Sequence, residues 1–464
     1  MMAKSPAAGQ SPTSERTSAT APQPTPAELP PVASFDALQL PPQIMATLRD
    51  AGVTEPFPIQ AAALPNALAG RDILGRARTG SGKTLAFGLA LLVRTAGRRA
   101  EPKRPLALVL VPTRELAQQV TDALAPHARA LNVRLATVVG GLSINRQTAE
   151  MRTGVEVVVA TPGRLTDLVS RRDCHLNHVR ITVLDEADQM CDLGFLPQVS
   201  ELLDQVRPDG QRMLFSATLD RDVDRLVRDR LRDPVTVSVD PGAGTASTME
   251  HHVLNIHAAD KYATATEIAA RDGRVLMFLD TKAAVDQFTR HLRASGVQAA
   301  ALHSGKSQPQ RTHTLGRFKS GDVTVLVATN VAARGIHIDA LDLVVNVDPP
   351  ADAKDYLHRG GRTARAGESG KVVTLVTQAQ RRDVNAMMSA AGVRPIVTQV
   401  RSGEQALTAI TGAKRPPTGP KPDGGNAPFR GMGTRPGPAK GSRKSAEARK
   451  IAEARAAARV RKGR

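Results

Sequence analysis

Apolar residues in the first half of this chain recur in short continuous runs, separated by longer amphipathic stretches. Runs at residues 106–111, 155–160, 181–184 and 213–215 do not alternate apolar with polar positions, which is typical of parallel strands buried on both faces. The intervening stretches, such as 115–131 and 196–206, have helical periodicity. This alternation predicts a doubly wound α/β domain over residues 34–240.

The same alternation restarts after a stretch of small residues at 241–249, which is typical of a linker. A second set of apolar runs follows at residues 275–279, 299–302, 323–328, 343–347 and 372–376. We therefore expect a second α/β domain over residues 250–400. Only the first domain carries a phosphate-loop sequence, so a site that needs both domains would have to form across a cleft.

Both ends of the chain are predicted to be disordered. Residues 1–33 are rich in Ala, Pro, Ser, Thr and Gln and cannot bury enough surface to offset chain entropy. Residues 401–464 form a basic tail, in which positions 412–464 hold 15 Lys or Arg and three acids, or +12 of the net charge of +19. The tail either solubilises the chain or binds a polyanion, and its charge favours the second interpretation.

Composition narrows the class of partner and the compartment. A net charge of +19 predicts a polyanionic partner. Aromatic residues make up only 2% of the chain, so phosphate and sugar contacts, not base stacking, must carry any nucleic-acid binding. Two cysteines outside any CxxC spacing fit a reducing, cytoplasmic location. No apolar run reaches 18 residues, so we expect no membrane span.

Residues 77–84, Ala-Arg-Thr-Gly-Ser-Gly-Lys-Thr, lie between an apolar pair and an apolar helical run. Gly80 and Gly82 permit backbone angles that a side chain would prevent, so successive amides and the helix N-terminus can hold an anion. Lys83 can reach the β- and γ-phosphates, and the Thr84 hydroxyl can ligate Mg²⁺. The strict pattern begins with glycine, and here its first residue is alanine. The stretch predicts a nucleoside triphosphate site.

The second chemical signal is Asp-Glu-Ala-Asp at residues 185–188, which directly follows a predicted strand. Ligands of open α/β sheets bind at the carboxyl ends of strands. Phosphoryl transfer needs a carboxylate that holds Mg²⁺ and a group that orients water. Asp185 suits the metal, and Glu186 suits activation of the attacking water. An acidic surface turn is the plainer alternative.

Together these two stretches resemble those of the DEAD-box ATP-dependent RNA helicases of superfamily 2, and the chain is expected to be a bacterial-type member. Further motifs match in order from Phe35 to about Ala366, roughly 70% of the chain. The ordered set is far more specific than any single motif. The resemblance implies two tandem RecA-like domains with parallel sheets, ATP and Mg²⁺ as cofactors, and RNA as the partner.

The resemblance also implies which residues contact the nucleotide. Gln60 resembles the family's adenine-reading glutamine, whose amide can both donate to and accept from the adenine edge. Phe35 lies 17 residues before Gly52, as the family's isolated aromatic does. Val53 stands where the family usually has an aromatic beside adenine, and Phe57 replaces a customary Thr. The implied nucleotide-binding set is Phe35, Gln60, Arg78, Thr79, Gly80, Ser81, Gly82, Lys83, Thr84 and His337.

Residues 328–337 depart from the family's common form at two positions. Asn330 and His337 each stand where the family has Asp. The second of those Asp residues is implicated in holding the ribose. A neutral imidazole can bond a ribose hydroxyl, so the resemblance assigns His337 to the ribose.

Short motifs in both domains are similar to the family's RNA contacts. Each places a hydroxyl, a glycine amide or a guanidinium at a strand-to-helix junction, which suits phosphate oxygens and not base edges. Taken singly, each could equally be a helix cap. The implied RNA-binding residues, expected to contact phosphates and 2′-hydroxyls without sequence preference, are Pro112, Thr113, Arg114, Gly141, Thr161, Gly163, Arg164, Gln308, Arg311 and Thr329.

Two further groups follow from the resemblance. Ser-Ala-Thr at 216–218 pairs in the family with the acidic motif, and here Asp188 could accept from either hydroxyl. Arg362 and Arg365 are three apart, so they face one way on a helical turn, and they look like arginine fingers that reach the γ-phosphate. Two solvated helical arginines are the alternative. The implied coupling residues are Asp188, Ser216, Thr218, Asn330 and His358, and the implied catalytic residues are Lys83, Asp185, Glu186, Arg362 and Arg365.

The expected function is ATP-dependent unwinding or remodelling of RNA duplexes, with ATP and RNA bound in a cleft between the domains. Two other classes stay open, namely a DNA-directed translocase and an ATP-gated RNA clamp or annealing chaperone. We expect a monomer, and the resemblance suggests ribosomal or RNA-decay complexes as its setting.

Overall fold

The computed structural model describes residues 28–77, 80–239, 249–333, 341–363 and 370–417. In these ranges the strands form two seven-stranded sheets. The strands of the first sheet are β1 Ile73–Arg76, β2 Ala107–Leu110, β3 Leu135–Val138, β4 Val157–Ala160, β5 Ile181–Asp185, β6 Gln211–Ser216 and β7 Val235–Ser238. Those of the second are β8 Met249–Ile256, β9 Val275–Phe278, β10 Ala299–Leu302, β11 Val325–Ala328, β12 Leu343–Asn346, β13 Gly370–Thr377 and β14 Ile396–Gln399.

Helices separate the strands in both domains. The first domain has α1 Pro42–Asp50, α2 Pro58–Leu68, α3 Lys83–Thr95, α4 Arg114–Ala130, α5 Ile144–Arg152, α6 Pro162–Ser170, α7 Ala187–Asp192, α8 Leu196–Leu203 and α9 Arg221–Arg230. The second has α10 Lys261–Ala269, α11 Lys282–Ala294, α12 Gln308–Ser320, α13 Asn330–Ala333, α14 Ala353–Gly360, α15 Arg381–Ala390 and α16 Gln405–Thr411. No helix within the described ranges is long and apolar enough to cross a membrane.

The two sheets share one strand order. The first runs β3-β4-β2-β5-β6-β1-β7 and the second β10-β11-β9-β12-β13-β8-β14. Counted from the first strand of each sheet, the two orders are identical, and every ladder between these strands is parallel. The structure thus confirms the predicted fold class of two tandem α/β domains with parallel sheets.

Both faces of each sheet are covered. In β4, Val157 and Val159 pack into one hydrophobic core, whereas Val158 and Ala160 pack into the other. Each residue of such a strand is therefore buried, and no alternation appears in the sequence. This burial explains why the inner strands were predictable from continuous apolar runs.

The sequence pattern missed four strands that lie at or next to a sheet edge, namely β3, β7, β8 and β14, although it predicted the edge strand β10 at 299–302. In the edge strand β7, Val235 and Val237 are buried and Thr236 and Ser238 are exposed. Such strands keep polar residues on one face, so their apolar runs are short or interrupted. Strand β8 begins at Met249, the last position of the predicted linker.

Packed structure also extends beyond both predicted domain ends. Leu29 exchanges two hydrogen bonds of 2.9 Å with the side-chain amide of Asn66, although residues up to 33 were expected to be disordered. Leu407 and Ala413 join the core of the second domain, although the tail was expected to begin at 401. Hydrogen bonds hold the first segment, since the Val32 amide also donates to the Ala61 carbonyl at 3.1 Å, whereas buried apolar residues hold the second. Neither kind of contact produces a periodic pattern in the sequence. Residues 1–27 and 418–464 lie outside the described ranges.

Candidate active site

The loop between β1 and α3 can hold an anion. Gly80 and Gly82 have φ of 89° and 88°, a region that glycine adopts without strain. Lys83, only 6% exposed, begins α3 and donates from Nζ to the Ala77 carbonyl at 2.9 Å. The Ser81 Oγ is buried and has no hydrogen-bond partner among the described residues, which leaves an unsatisfied polar group in the loop. The arrangement fits a phosphate group.

Gln60 and Phe57 form a wall beside this loop. The Gln60 amide is buried, donates to the Gly82 carbonyl at 3.0 Å and accepts from the Phe57 amide at 2.9 Å. The Phe57 ring is 49% exposed, and a Cβ added at Gly82 would lie 2.6 Å from its Cδ2. Gln60 therefore keeps one N–H and one lone pair for a ligand. The replacement of a customary Thr was the only sequence signal for Phe57.

Phe35 lies elsewhere. Its ring is 2% exposed and packs in the same core as Leu40 and Ile44. An apolar ring gains free energy from such burial. The structure thus shows a packing role for Phe35, and the implied nucleotide contact stays a prediction. The other implied residues Arg78, Thr79, His337 and Arg365 lie outside the described residues.

Asp185 ends β5, and Glu186 follows it in the left-handed region at φ 52°. The Glu186 amide donates to the Asp185 carboxylate at 3.0 Å. Burial raises the pKa of Asp185 to about 6, while the nearby Lys83 ammonium opposes that rise. A buried carboxylate in this state favours a further cation, and carboxylate and hydroxyl oxygens are the donors that Mg²⁺ accepts. Asp185 and the half-buried Thr84 therefore fit Mg²⁺.

Asp188, in α7, contacts the residues that follow β6 and also approaches α14 of the second domain. Its Oδ2 accepts from the Thr218 amide at 3.0 Å, the Thr218 hydroxyl at 3.1 Å and the Ala217 amide at 3.2 Å. Ser216 acts in the other direction, since its Oγ accepts from the Asp188 amide at 3.2 Å. Of the two hydroxyls that the sequence offered to the carboxylate, Thr218 is the donor. His358 Nε2, from α14 of the second domain, lies 3.7 Å from Oδ2.

The electrostatics of Asp188 favour its ionised form. Burial alone would raise the pKa of Asp188, but His358, Lys83 and Thr218 outweigh burial and hold it well below its usual range. The ionised Asp188 carboxylate thus faces the His358 ring of the other domain. Asn330, also implied in coupling, begins α13, and no hydrogen bond joins it to this group within the described residues.

Arg362 follows α14 and lies next to the contact between Asp188 and His358. Its side chain is buried, and its Nε donates to the His358 carbonyl at 3.2 Å. A guanidinium of the second domain thus stands close to the residue that faces Asp188. Of the two implied arginine fingers, only this one falls in the described part of the chain.

A groove of about 340 Å³ is lined by both domains. It includes eight of the ten implied RNA contacts: Pro112, Thr113, Arg114, Thr161, Gly163, Arg164, Gln308 and Arg311. Gly141 adjoins it, because an added Cβ would lie 2.2 Å from Arg114 Nη1. Thr329 lies at the end of β11 and is 9% exposed. The implied RNA residues therefore converge.

The helix-cap alternative holds for one of the groove threonines. The Thr113 hydroxyl accepts from the Leu116 amide at 3.2 Å and caps α4. Thr161 precedes α6 without a side-chain cap bond. Its hydroxyl is therefore not committed to the helix and can donate into the groove.

The two domains also meet directly in this groove, which the sequence did not predict. Arg311 Nε donates to Glu115 Oε1 at 2.8 Å, and both residues are buried. Gln308 donates to the same oxygen at 3.0 Å and accepts from Arg114 at 3.3 Å. Burial would raise the pKa of Glu115, but Arg311 outweighs it and the pKa falls. The Arg311 guanidinium, which also donates to the Ala332 carbonyl, thus makes a contact between the domains, and its implied RNA contact stays a prediction.

Lys354 makes a second contact between the domains. Its Nζ lies 2.7 Å from Asp192 Oδ1 and 2.5 Å from Asp220 Oδ2, both of the first domain. Burial opposes the charged lysine, yet hydrogen bonds to the two carboxylates raise the pKa of Lys354 above its usual value. No motif contains Lys354, and only the three-dimensional structure brings it to these aspartates.

The fold and site define a class of protein. One RecA-like domain carries a phosphate loop and paired carboxylates, and basic residues of a second domain face them. This combination is typical of a two-domain nucleoside triphosphatase. Residues 57–226 match the model of the DEAD/DEAH box helicase family, and residues 260–367 match that of the helicase conserved C-terminal domain. The chain belongs to the DEAD-box helicase family.

Named relatives agree with this assignment. The chain is 41% identical over 353 residues to DEAD-box ATP-dependent RNA helicase 30 of Arabidopsis thaliana, covering 75% of this chain and 60% of that protein. It is 37% identical over 362 residues to ATP-dependent RNA helicase DBP2 of Eremothecium gossypii, covering 76% and 64%. The chain thus spans less than two thirds of the length of these curated relatives. Both are eukaryotic, and a bacterial-type origin stays a prediction.

A solved structure shares the fold. S. cerevisiae Dbp5 bound to RNA and ADP BeF3 matches with a TM-score of 0.74 at 28% identity, covering 82% of this chain and 99% of that chain. The likeness extends over both domains. It supports the two-domain RecA-like architecture.

Proposed function

We propose that this chain is an ATP-dependent RNA helicase, which locally unwinds or remodels RNA duplexes. The observation that carries the proposal is the position of Asp188. This carboxylate accepts from Thr218 of its own domain and faces His358 of the other. Asp188 lies three residues after Asp185 on the same short segment. The proposed nucleotide site and the contact between the domains are therefore directly linked through the chain. The names of the relatives, and the RNA bound to Dbp5, support RNA as the substrate.

ATP would bind with its phosphates on the loop before α3 and its base beside Gln60 and Phe57. Lys83 would contact the β- and γ-phosphates. Thr84 and Asp185 would hold Mg²⁺, which when bound neutralises phosphate charge. His337 is proposed to bond the ribose. The exposed Phe57 ring offers the base a face to stack on, a contact that the valine at position 53 does not supply.

Glu186 would orient the attacking water and accept its proton. Its left-handed backbone at φ 52° turns the chain sharply directly after β5. Arg362, with Arg365, would stabilise the charge that spreads over the phosphoryl oxygens, an effect of about 10³–10⁵ in rate for arginine fingers. These arginines belong to the second domain, so hydrolysis requires the closed pair of domains.

RNA would bind in the groove between the domains through its phosphates and 2′-hydroxyls. A strand held by both domains is bent when ATP closes them, and its complement is locally displaced. Hydrolysis then reopens the pair and releases RNA. Binding energy thus shifts an equilibrium between open and closed states.

Substitution of Glu186 by Gln tests the proposal. Glu186→Gln should keep ATP and RNA binding, while RNA-stimulated turnover falls by orders of magnitude. Glu201→Gln, at an exposed position of α8, is the matched control and should behave as wild type. Wild-type turnover of Glu186→Gln would refute the assigned base. Equal stimulation of the ATPase by DNA and RNA would favour a translocase, and strand annealing without unwinding would favour a clamp or chaperone.

Further proposals concern the setting of the protein. We propose a cytoplasmic monomer that works on ribosomal or RNA-decay complexes, with the basic tail at 401–464 adding RNA affinity through counterion release. The 15 basic residues of positions 412–464 support the tail's role. Light scattering tests the monomer, and sequencing of RNA crosslinked in cells tests the setting.

A further inference from the structure

A second basic region lies at the other end of the first sheet. A cavity of about 280 Å³ is lined by Leu106 and Arg180, which directly precede β2 and β5. An adjoining cavity of about 170 Å³ reaches Gln211, the first residue of β6. Because the strands are parallel, their amino ends share one edge of the sheet. The phosphate loop and Asp185 follow the carboxyl ends, so the cavities face away from the nucleotide site.

Basic side chains dominate both cavities. The basic residues of the lining, called here the arginine cluster, are Arg94, Arg98, Arg99, Arg180, Arg207 and His178. Asp209 is the one carboxylate among the lining residues, and it is held by Arg207 through hydrogen bonds of 2.9 and 2.6 Å. Arg98 and Arg180 make no ion pair with any carboxylate in the described part of the chain. Five arginines and a histidine face this one lining carboxylate, so the cluster carries an excess of positive charge.

The guanidinium groups of this cluster lie close enough to repel each other. The pKa of Arg94 is lowered by burial and by the nearby Arg98. Arg99 reaches only the margin of an ion pair, 4.0 Å from Glu156, a carboxylate that Arg134 holds at 2.7 Å. An anion that bridged these guanidiniums would offset their repulsion.

We propose that the arginine cluster is a second RNA-binding surface, which binds backbone phosphates of a strand that continues beyond the groove between the domains. Guanidinium groups match phosphate oxygens with two parallel hydrogen bonds. No Phe, Tyr or Trp lines either cavity, so phosphate contacts and not base stacking carry the binding, and the surface has no sequence preference.

An RNA strand is favoured over a small phosphorylated ligand for two reasons. Three separate segments supply the arginines, at residues 94–99, 180 and 207, so the charge is spread over two adjoining cavities. RNA held in the groove would also present its own continuation to the cluster at high effective concentration. The inference rests on RNA being the partner, as proposed above.

The test compares short and long RNA on the full chain. Arg98→Gln/Arg180→Gln removes the two unpaired arginines, and affinity is measured against salt for single strands of about 10 and about 40 nucleotides. With the long strand, affinity should fall several-fold, and the salt slope should decrease by about 1.4, or about 0.7 for each phosphate that is no longer neutralised. With the short strand, affinity and ATPase stimulation should match wild type, which also shows that the variant is folded.

Arg382→Gln/Arg394→Gln is the matched control. Both residues are exposed in the second domain, and neither forms an ion pair among the described residues. The control removes the same charge and should leave the long-strand slope unchanged. Arg98→Lys/Arg180→Lys keeps the charge and should retain most of the slope.

Three outcomes would overturn the inference. The first is an unchanged long-strand slope in Arg98→Gln/Arg180→Gln. The second is an equal decrease in the control, which would show an effect of net charge alone. The third is loss of tripolyphosphate binding, measured with the nucleotide site filled by an ATP analogue, while long-strand affinity stays intact, which would assign the cluster to a small anion. Failure of the proposed function itself would appear separately, as absent ATPase stimulation by the short strand in wild type.

Discussion

The Glu115 carboxylate and the Arg311 guanidinium form a buried ion pair between the two domains, with Oε1 and Nε 2.8 Å apart. Removal of one partner from a buried pair leaves an uncompensated charge and costs about 3–5 kcal/mol. The pair lies in the groove that we propose to bind RNA. Whether this ion pair is formed or broken therefore indicates whether the domains are in contact at the place where RNA would bind.

Arg311→Met should weaken RNA-stimulated ATP hydrolysis, because Glu115 is left buried without its partner. We expect the RNA concentration for half-maximal stimulation to rise at least tenfold. The charge-swapped double variant Glu115→Arg/Arg311→Glu should recover part of the loss. If the double variant is worse than either single variant, Arg311 acts through RNA contact and not through Glu115.

Lys354→Met should favour the open state. Loss of the lysine removes the ammonium that bridges Asp192 and Asp220, and hydrogen bonds to charged groups contribute about 1.5–3 kcal/mol. The closed fraction, followed by fluorescence transfer between labels on the two domains with ATP analogue and RNA, should fall about tenfold or more. Lys371→Met is the control, since Lys371 pairs with Glu250 inside the second domain. Equal closed fractions in the two variants would contradict a role for Lys354.

Phe57→Thr should raise the KM for ATP about fivefold or more, because stacking of a base on an aromatic ring contributes about 1–3 kcal/mol. Inhibition by tripolyphosphate, which has no base, should not change. Tyr262→Ser is a matched control, since Tyr262 is also 49% exposed but lies in the second domain. A parallel change for ATP and tripolyphosphate would show that Phe57 shapes the phosphate loop and does not contact adenine.

Glu156 should make the first domain sensitive to acid. Burial would raise its pKa, but Arg134 and two backbone amides lower it from 4.5 to about 2. The ionised carboxylate therefore stabilises the fold above pH 4.5, and this stabilisation is lost as pH falls towards 2. The shift corresponds to about 3 kcal/mol. Glu156→Gln should lose about this much unfolding free energy at pH 7.

Urea unfolding of wild type and Glu156→Gln at several pH values tests whether the stabilisation by Glu156 is lost as the pH falls. The difference between the two proteins should shrink between pH 4.5 and pH 2. Glu101→Gln, at an exposed position that forms an ion pair with Arg104, should show no such difference. A constant gap across the acidic range would mean that shape, and not charge, makes Glu156 important.

The sequence predicted the parts of the fold and site that depend on neighbouring residues. Inner strands such as β4 are apolar on both faces, and the phosphate loop and the run at 185–188 are continuous. Glu115 and Arg311 are 196 positions apart, and no local pattern links them. The burial of Phe35 and the double contact of Lys354 likewise depend on tertiary packing. Thr113 and Thr161 look alike in sequence, yet only one of them caps its helix.

The strand that carries the phosphate loop imposes an order on folding. Within β1, Ile73 pairs with Met213 on one side and with Val235 on the other, 140 and 162 positions further along the chain. During synthesis β1 cannot pair until both β6 and β7 have been made. Such non-local parallel pairing is slow, and the unpaired strand is prone to aggregate. A nascent chain shorter than about residue 239 cannot complete this sheet. Nucleotide binding would therefore be among the last properties that the first domain acquires, and its appearance would mark the end of that domain's folding.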